Sequence, residues 1–364
     1  MRVGIDARND GTGVGRYTFS LIRELAKIDR ENEYVLFLNQ ERFAGYAAPG
    51  PNFRTVEAAI PWFTLREQLV LPRLVTQERL DLVHYPHVTV PLVSTTPFVV
   101  TIHDLNYLDP GATGHGLRHA ALRAAYRVEL AKARRARRLI APSEHTRHAI
   151  DRKLGVESSR VSVTYEAADP PEQVAPDRTV LERHGLDVPF FLYVGAAYPY
   201  KNLTRLITAF ARVEGDYKLV LAGDHEQFAA GLQEHAAALG LLGDRVVFTG
   251  VVSDAELAAL YGAARAYTFV SLSEGFGLPG LEAMQFGVPV VAASTGSLPE
   301  IYADAARYCD PHDVDSIADA LEEVASDEQL RAQLSERGRR RVADFSWART
   351  AEQTLAVYRE ALLH

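Results

Sequence analysis

The chain has 364 residues, which suggests two domains at about 150 residues per domain. A composition of 47% hydrophobic and 24% charged residues is typical of folded globular proteins, and it excludes a disordered chain, a collagen-like fibre and a small disulfide scaffold. The net charge of -8 argues against general nucleic-acid binding, and the single cysteine, Cys309, excludes an intrachain disulfide.

The charge is unevenly distributed along the chain. Residues 1–170 carry 23 basic and 19 acidic side chains, whereas residues 171–364 carry 16 basic and 28 acidic ones. Within residues 112–153, 11 basic side chains stand against 3 acidic ones. The N-terminal sequence lacks the apolar core of a signal peptide, and no uncharged apolar run approaches the ~20 residues that span a bilayer. We therefore expect a cytoplasmic location.

Short apolar runs rich in Val, Ile and aromatic residues predict strands, and several of these runs are continuous, as in a parallel sheet covered on both faces. In the first half, strands are predicted at Val3–Asp6, Tyr34–Leu38, Leu82–Tyr85, Phe98–His103, Leu139–Pro142 and Val161–Tyr165. In the second half, they are predicted at Phe190–Gly195, Lys218–Ala222, Val246–Thr249, Ala266–Ser271 and Val288–Ala292. Helical periodicity predicts helices at Tyr17–Ile28, Leu203–Val213, Phe228–Ala238, Asp254–Tyr261 and Trp347–Leu363.

The alternation of strands and helices predicts βαβ units with right-handed crossovers. The Pro-rich, polar segment Ala167–Asp177 has no apolar period and predicts a linker. The predicted fold is therefore α/β, with two doubly wound Rossmann-like domains at residues 1–170 and 178–349 that face a cleft.

A glycine-rich segment, Gly11–Arg16, follows the first predicted strand and precedes a helix. Glycines let a backbone approach a ligand closely, and a helix N-terminus attracts anions. A dinucleotide fingerprint needs G-x-G-x-x-G directly after the strand, and no third glycine follows Gly13 and Gly15 at that spacing. An NAD-dependent oxidoreductase is thus a weaker hypothesis, and a glycine-rich turn without a ligand stays open.

A second glycine-rich segment, SEGFGLPGLEAM, follows the strand Ala266–Ser271. Pro279 is typical of the start of a helix and Gly287 of its end, so Glu274 is predicted in the loop and Glu282 on the helix. The backbone N–H groups at Phe276–Leu278 would face an anion, while the glutamates would accept hydrogen bonds from hydroxyls. This pattern predicts a nucleotide sugar site. A glycosidase carboxylate pair and two surface glutamates around a tight turn are the alternatives.

Three histidines and an aspartate are candidates in the first half. His103 ends a predicted strand, where ligands of open α/β sheets bind, and Asp104 follows it. His84 and His87 in HYPHVTVP, together with Asp104, are weaker candidates for contacts with an acceptor. A structural histidine is the alternative for each. No Asp-x-Asp pair follows a suitable strand, so we expect a reaction that needs no metal.

The segment EGFGLPGLEAM resembles the signature of glycosyltransferase family 4, whose members are retaining enzymes with two Rossmann-like domains in the GT-B arrangement. The resemblance extends over the chain through GIDARNDGTGVGRYTFSL, TIHDL, APSEHTRHAI, YVGAAYPYKNL and FTGVVSDAELAALY. It implies an N-terminal domain that binds the acceptor, a C-terminal domain that binds the donor, and a terminal helix, about residues 350–364, that packs back on the first domain.

The resemblance also implies roles for individual residues. His103, Lys201 and Glu274 would act at the reacting sugar and diphosphate, with Lys201 opposing the charge of the leaving group. The predicted donor contacts are Gly15, Arg16, Lys201, Val252, Glu274, Gly275, Phe276, Gly277, Leu278 and Glu282. The arginine that the family places near the lysine is replaced by Ala196 and Tyr200, and either Arg16 or Arg205 is a candidate substitute.

The predicted function is hexosyl transfer from a nucleotide diphosphate sugar to a hydroxyl of a glycan or lipid-linked glycan, without a cofactor. The GVGRYT opening and the PYKN loop resemble mannosyltransferases of bacterial surface polysaccharides, which favours GDP-mannose as donor. UDP-glucose and a non-catalytic nucleotide-sugar-binding protein are the alternatives. The basic segment Arg118–Arg138 predicts either a solvated helix face or, across residues 112–153, peripheral contact with an anionic membrane.

Overall fold

The computed structural model describes residues 1–9, 13–109, 117–169, 178–223 and 228–363. The described residues form two compact units. The first comprises residues 1–9, 13–108, 117–166 and 346–363, and the second comprises residues 109, 167–169, 178–223 and 228–345. Of the predicted linker, residues 170–177 lie outside the described residues.

The first unit is built on a parallel sheet, in which the described chain forms seven strands in the order β3-β2-β1-β4-β5-β6-β7. The strands are β1 (Arg2–Ala7), β2 (Glu33–Leu38), β3 (Phe53–Glu57), β4 (Leu82–Tyr85), β5 (Phe98–Thr101), β6 (Arg138–Ala141) and β7 (Val161–Val163). This is the doubly wound strand order, which reverses direction between β1 and β4. Almost every residue of β1, β2, β4 and β5 is buried, which explains their continuous apolar sequence.

In the described chain, five α-helices of the first unit lie before residue 167. They are α1 (Gly13–Ile28), α2 (Gln40–Gly45), α3 (Leu65–Gln77), α4 (Leu117–Ala133) and α5 (Glu144–Leu154). Helix α1 begins four residues before the predicted start at Tyr17, so Gly15 and Arg16 lie in its first turn. Helix α3 begins at a capping threonine, Thr64, whose side chain accepts a hydrogen bond from the backbone N–H of Glu67. Residues Gly11 and Thr12 of the glycine-rich segment lie outside the described residues.

The second unit repeats the same topology, with six strands among the described residues in the order β10-β9-β8-β11-β12-β13, all parallel. The strands are β8 (Phe190–Val194), β9 (Lys218–Ala222), β10 (Val246–Gly250), β11 (Ala266–Phe269), β12 (Val290–Ala293) and β13 (Ala306–Cys309). Here the order reverses between β8 and β11.

The helices of the second unit flank this sheet. They are α6 (Arg178–Arg183), α7 (Leu203–Phe210), α8 (Ala229–Ala238), α9 (Asp254–Ala263), α10 (Leu278–Gln285), α11 (Leu298–Tyr302), α12 (Val314–Ser326) and α13 (Glu328–Val342). Helix α10 carries Pro279 in its first turn, and Gly287 follows its end with a φ of 73°, as the sequence predicts.

The terminal helix, α14 (Trp347–Leu363), belongs to the first unit. The hydroxyl of Tyr358 lies 2.7 Å from Nδ1 of His84, and the hydroxyl of Thr350 donates to the carbonyl of Tyr165. An ion pair joins Arg138 to Glu360. The helix is therefore fixed to the first sheet by buried hydrogen bonds.

The expectation of two doubly wound α/β domains is confirmed. All eleven predicted strands are present, most of them ending within one or two residues of the predicted bounds. Strands β3 and β13 were not predicted. Both are edge strands, and the partly exposed residues in FRTVE and ARYC break the apolar run that identified the others.

Candidate functional site

The two best-supported candidates of the second unit lie at the point where its strand order reverses. Lys201 follows β8 and Glu274 follows β11, and these two strands are neighbours in the sheet. Ligands of open α/β sheets bind outside the carboxyl ends of the strands at such a reversal. The position of both residues therefore follows from the topology.

Lys201 and Glu274 form an ion pair. The distance between Nζ of Lys201 and Oε1 of Glu274 is 2.6 Å, and the side chains are only 14% and 11% exposed. The ammonium also lies 5.0 Å from the ring centroid of Tyr200 and 5.1 Å from that of Phe269. A charge-assisted bond in such surroundings is stronger than one in water, so it holds both groups in a fixed orientation.

The loop that carries Lys201 is anchored by its neighbour, Asn202. Asn202 is buried and has a left-handed backbone with a φ of 64°. Its side-chain amide donates to the carbonyls of Val270 and Pro311, at 3.1 and 2.7 Å. Its side-chain oxygen accepts from Nη1 of Arg205 at 2.9 Å. Arg205, one candidate for the missing family arginine, is thus engaged with Asn202.

The glycine-rich loop before α10 is held by residues at both ends of the short helix α11. The hydroxyl of Ser297 donates to the carbonyls of Glu274 and Phe276, at 3.0 and 2.8 Å, and the hydroxyl of Tyr302 donates to the carbonyl of Gly277 at 2.6 Å. Residues Glu274–Leu278 are all buried, and Gly277 has a φ of 118°. The loop is therefore a rigid backbone surface next to the N-terminus of α10, which favours an anion.

Close backbone contact explains the glycine at position 296. A Cβ added to Gly296 would lie 2.9 Å from the backbone nitrogen of Glu274, and its φ is 66°. Only glycine meets both constraints without strain. Gly296, Ser297 and Tyr302 were not predicted as parts of the site, although the turn-forming sequence TGSLP marks a constrained backbone.

Two other predicted donor contacts, Glu282 and Val252, lie outside the glycine-rich loop. Glu282 lies on α10, half-buried, and its Oε2 accepts from the hydroxyl of Tyr261 at 3.2 Å. Val252 is half-buried just after β10, next to Val251, which is 78% exposed.

Three neighbouring strands, β8, β9 and β10, lead into glycines at their carboxyl ends: Gly195, Gly223 and Gly250. The N–H of Gly195 donates to Ala222, and that of Gly223 to Gly250, both at 2.9 Å. A Cβ on Gly223 would lie 2.6 Å from the carbonyl oxygen of Gly195. The sheet edge thus presents bare backbone on which a flat ligand can lie. This feature was not predicted, although the three glycines after strands were a visible signal.

In the first unit, His103 lies two residues past β5 with both ring nitrogens engaged. Its Nδ1 is 3.0 Å from Oε1 of Glu166, and its Nε2 is 2.9 Å from the carbonyl of Pro86. Because a carboxylate and a carbonyl only accept hydrogen bonds, both contacts are satisfied when both ring nitrogens donate, so the geometry favours the protonated imidazolium. Burial alone would lower the pKa of His103, but the hydrogen bond and charge of Glu166, with the Pro86 carbonyl, raise it above its ordinary value.

The sequence did not identify Glu166 as a partner of His103. Asp104, a weaker acceptor-side candidate of the sequence analysis, has a side-chain oxygen 2.9 Å from the backbone nitrogen of Asn106, where it caps a short turn. Glu166 therefore orients the ring.

The structure separates His84 from the other histidines. His84 is fully buried, with Nδ1 bonded to Tyr358 and Nε2 at 2.8 Å from the hydroxyl of Thr101. Burial, together with the charge of His103, lowers its pKa to about 3, so it is neutral. His84 thus lies in the core, whereas the predicted role was contact with an acceptor.

His87 lies nearer the surface, half-buried just past β4 and edge-on to the ring of Trp62. Burial and the charge of His103 lower its pKa to about 4. In the first turn of α1, Gly15 is buried and Arg16 is exposed. Because α1 follows β1 and His87 follows β4, Gly15, Arg16 and His87 lie at the carboxyl edge of the first sheet, as His103 does.

Two kinds of feature are absent from the described residues. In that part of the chain, no group of three or more His, Cys, Asp or Glu side chains lies close enough to hold a metal ion. None of its helices combines the length and the apolar sequence needed to cross a bilayer.

Two family models match the chain. Residues 11–172 match the model described as Glycosyltransferase Family 4, and residues 181–341 match the model described as Glycosyl transferases group 1. Together the two matches leave out residues 1–10, 173–180 and 342–364.

Curated relatives match at moderate identity. O-antigen chain mannosyltransferase B of Escherichia coli is 32% identical over 62% of this chain and 61% of its own length. O-antigen chain mannosyltransferase RfbU of Salmonella typhimurium is 25% identical over 89% of this chain and 90% of its own length. The chain spans only about a quarter, 26%, of the serotype-specific mannosyltransferase WbdA of Escherichia coli, at 34% identity.

Solved structures share the fold at low identity. Sucrose-phosphate synthase from Thermosynechococcus elongatus aligns with a TM-score of 0.79 at 22% identity, over 99% of this chain and 98% of its own. HepE from Anabaena, solved in complex with UDP and glucose, aligns with a TM-score of 0.78 at 19% identity, over 99% of each chain.

Proposed function

Because the chain belongs to glycosyltransferase family 4, we propose that it transfers a hexose from a nucleotide diphosphate sugar to a hydroxyl of a glycan or lipid-linked glycan. The observation that carries this proposal is the ion pair of Lys201 and Glu274 beside the rigid loop Gly275–Leu278. A cation, backbone N–H groups and a carboxylate match the diphosphate and the hydroxyls of such a donor.

Each group has a part in the reaction. The bond between the anomeric carbon and the diphosphate oxygen breaks, the bond to the acceptor oxygen forms on the same face, and the acceptor proton passes to the departing diphosphate. Lys201 has three N–H donors, so it can hold Glu274 and a phosphate oxygen together and oppose the charge of the leaving group. Glu274 then accepts hydrogen bonds from hexose hydroxyls, and Glu282 from the ribose.

His103 supplies a positive charge at the carboxyl edge of the first sheet. The imidazolium, held by Glu166 and Pro86, is oriented before any ligand arrives. We assign it to the reacting sugar, where a fixed positive charge stabilises the negative charge that develops on the departing oxygen. The proposal includes neither a cofactor nor a metal, because Lys201 supplies the counter-charge, and it predicts that EDTA leaves the rate unchanged.

We assign mannose from GDP-mannose as the donor. The support comes from the GVGRYT opening, the PYKN loop and the relatives named as O-antigen mannosyltransferases. UDP-glucose is the second candidate, since HepE, with the same fold, was solved with UDP and glucose. A protein that binds nucleotide sugars without transferring them is the third, because Ala196 and Tyr200 replace the family arginine.

Thermal unfolding in the presence of GDP, UDP, ADP or NAD separates these candidates, since a ligand that binds only the folded state raises its stability. We expect the largest shift with GDP. The shift should vanish in Lys201→Ala and persist in Lys218→Ala, which removes another paired lysine at the start of β9. A shift with NAD alone would overturn the proposal, and nucleotide binding without transfer from any donor would favour the non-catalytic protein.

Peripheral contact with the inner face of the cytoplasmic membrane is also part of the proposal. On α4, Tyr126 and Leu130 are buried, whereas Leu122 and Val128 are 46% and 53% exposed. Arg127 on the same helix and Arg134, which directly follows the helix, are exposed as well. Exposed apolar and basic side chains on one segment match the surface of an anionic membrane. Of the basic segment, residues 112–116 lie outside the described residues.

Sedimentation with lipid vesicles tests this contact. The protein should sediment with vesicles that contain phosphatidylglycerol, less so at high salt, and not with phosphatidylcholine alone. Charge reversal by Arg127→Glu and Arg134→Glu should abolish sedimentation, whereas Arg340→Glu on α13, another exposed arginine, should not. Equal sedimentation of all variants would rule out α4 as the contact.

A further inference from the structure

Two aromatic side chains extend from the segment between β3 and α3. Phe63 is 58% exposed, and Trp62 is half-buried. Both rings lie edge-on to the ring of His87, with centroid distances of 5.5 Å for Trp62 and 6.4 Å for Phe63. Since His87 follows β4, the cluster lies where the order of the first sheet reverses, which is the ligand-binding position of this topology.

Phe63 has a strained backbone. Its φ is 57°, in the left-handed region that bulky side chains rarely adopt. The conformation is held by Glu67, whose Oε2 accepts from the backbone nitrogen of Phe63 at 2.9 Å. Strain of this kind persists only where the surroundings enforce it, and it is concentrated at functional sites. The strained φ and the 58% exposed apolar ring thus occur at the same residue.

A buried arginine makes this segment rigid. Arg8 is fully buried between Asp6 and Glu67, with its Nη2 at 2.7 Å from a carboxylate oxygen of each. Its Nη1 donates to the carbonyl of Ile60 at 3.0 Å, and its guanidinium lies 4.7 Å from the ring centroid of Trp62. One network therefore fixes the backbone before Trp62, the ring of Trp62 and the turn at Phe63.

The cluster adjoins His103. The Pro86 carbonyl that accepts from Nε2 of His103 belongs to the residue before His87. We infer that Trp62, Phe63 and His87 form a subsite for a pyranose ring of the acceptor. The inference rests on the proposed function, because it assigns the acceptor side of that reaction. An acceptor hydroxyl must reach the sugar on which His103 acts, and this cluster is adjacent to it.

The chemistry of the three side chains fits a sugar. The C–H groups on one face of a pyranose pack against an aromatic ring, and its hydroxyls need neutral donors and acceptors at the edge. Phe63 offers an exposed ring, and Trp62 is held in a fixed position by Arg8. The lowered pKa keeps His87 neutral near pH 7. Its Nδ1 lies 3.4 Å from the hydroxyl of Thr89, so we assign the bond with a sugar hydroxyl to its Nε2.

Binding of methyl α-D-mannopyranoside and methyl α-D-glucopyranoside to the full chain without nucleotide tests the subsite. Saturation-transfer NMR reports which sugar protons contact the protein, and tryptophan fluorescence reports on Trp62 and Trp347, the two tryptophans of the chain. We expect one glycoside to bind, with transfer to the C–H protons of one face and a fluorescence change that Trp62→Phe removes. Failure of both glycosides to bind would overturn the inference.

Two substitutions of Phe63 distinguish the effect of the aromatic ring on binding from the effect of the backbone strain on stability. Phe63→Ala and Phe63→Gly both remove the ring, and each should weaken glycoside binding by about threefold to tenfold. Only Phe63→Gly also relieves the strained φ, so its melting temperature should exceed that of Phe63→Ala. The control Leu69→Ala removes another exposed apolar side chain, on α3, and should leave binding unchanged.

Different results would contradict the acceptor subsite and the proposed donor site. Unchanged glycoside binding in both Phe63 variants, with loss of sedimentation on phosphatidylglycerol vesicles, would show that Phe63 contacts lipid and would overturn the subsite. Normal glycoside binding by a protein that no nucleotide stabilises would instead contradict the proposed donor site and leave the subsite intact.

Discussion

The ammonium of Lys201 and the carboxylate of Glu274 meet at 2.6 Å, although 73 residues separate them in the chain. The contact joins the loop after β8 to the loop after β11, across the reversal of the second sheet. The pair thus holds in place, before any ligand arrives, the two groups that we assign to the diphosphate and the hexose. A fixed arrangement of charge lowers the cost of reorganisation during the reaction.

Substitutions of the pair should separate binding from transfer. Lys201→Ala should lower kcat/KM by about 10²–10³ and abolish nucleotide binding, because it removes the counter-charge of the leaving group. Glu274→Ala should abolish transfer but keep nucleotide binding, since Lys201 remains. Initial rates of donor consumption and thermal shifts measure the two effects. Full activity of Glu274→Ala would contradict the assignment.

The Glu166→Gln substitution should change how stability depends on pH. The raised pKa of His103 means that the folded state holds this proton more tightly than the unfolded chain. The stabilisation is therefore complete below the unfolded pKa of about 6.5 and is lost as the pH rises through the folded pKa. Urea unfolding should show wild type more stable than Glu166→Gln at about pH 6, with the difference shrinking at alkaline pH. Parallel curves for the two proteins would refute the ionic pairing.

Gly296→Ala should disturb the loop at Glu274. The new Cβ would lie 2.9 Å from the backbone nitrogen of Glu274 at a φ of 66°, so we expect a loss of more than about 1 kcal/mol of stability together with weaker nucleotide binding. Gly240→Ala is the matched control, because Gly240 has a φ of 70° and open space around its Cβ position. It should lose stability through strain alone and bind nucleotide normally. Identical nucleotide affinities for the two variants would contradict a role for Gly296 in the site.

Tyr358→Phe should destabilise the first unit. The substitution leaves Nδ1 of His84 without its partner in the core, which costs about 1–3 kcal/mol. Tyr308→Phe removes a hydroxyl that donates to Ala303 on a half-exposed side chain, where water replaces the bond, so its cost should stay below about 1 kcal/mol. Urea unfolding of both variants makes the comparison. A smaller loss for Tyr358→Phe would mean that the contact with His84 adds little.

The fold was largely predictable from sequence because a parallel sheet buries its central strands on both faces. Continuous apolar runs identified β1, β2 and β8, whereas the edge strands β3 and β13 lack such runs. The start of α1 was placed too late because Gly13 and Gly15 are poor helix formers and only the tertiary context makes them helical. The resemblance to glycosyltransferase family 4 is confirmed by the family models.

Site residues were predictable where they lie in a recognisable motif, but their hydrogen-bond partners were not. Glu274 and Glu282 belong to one glycine-rich segment, but Glu166 reaches His103 across 63 positions and Glu67 reaches Arg8 across 59. Such partners depend on tertiary packing and leave no local signal. His84 and His87 look alike in HYPHVTVP, yet His84 lies within β4, whose four residues are all buried, while His87 lies past the end of the strand. Only the structure distinguishes a core histidine from one at the sheet edge.

The terminal helix α14 makes the first unit discontinuous in sequence. Because residues 346–363 belong to the first unit, that unit is not a contiguous piece of the sequence, and the second unit is an insertion within it. A chimera made by joining residues 1–166 to a relative's second half would therefore pair a native His84 with a foreign partner for its Nδ1. On the proposed assignment of the donor to the second unit, an exchange of donor specificity between relatives has to replace the inserted segment alone and keep both flanks, with two junctions rather than one.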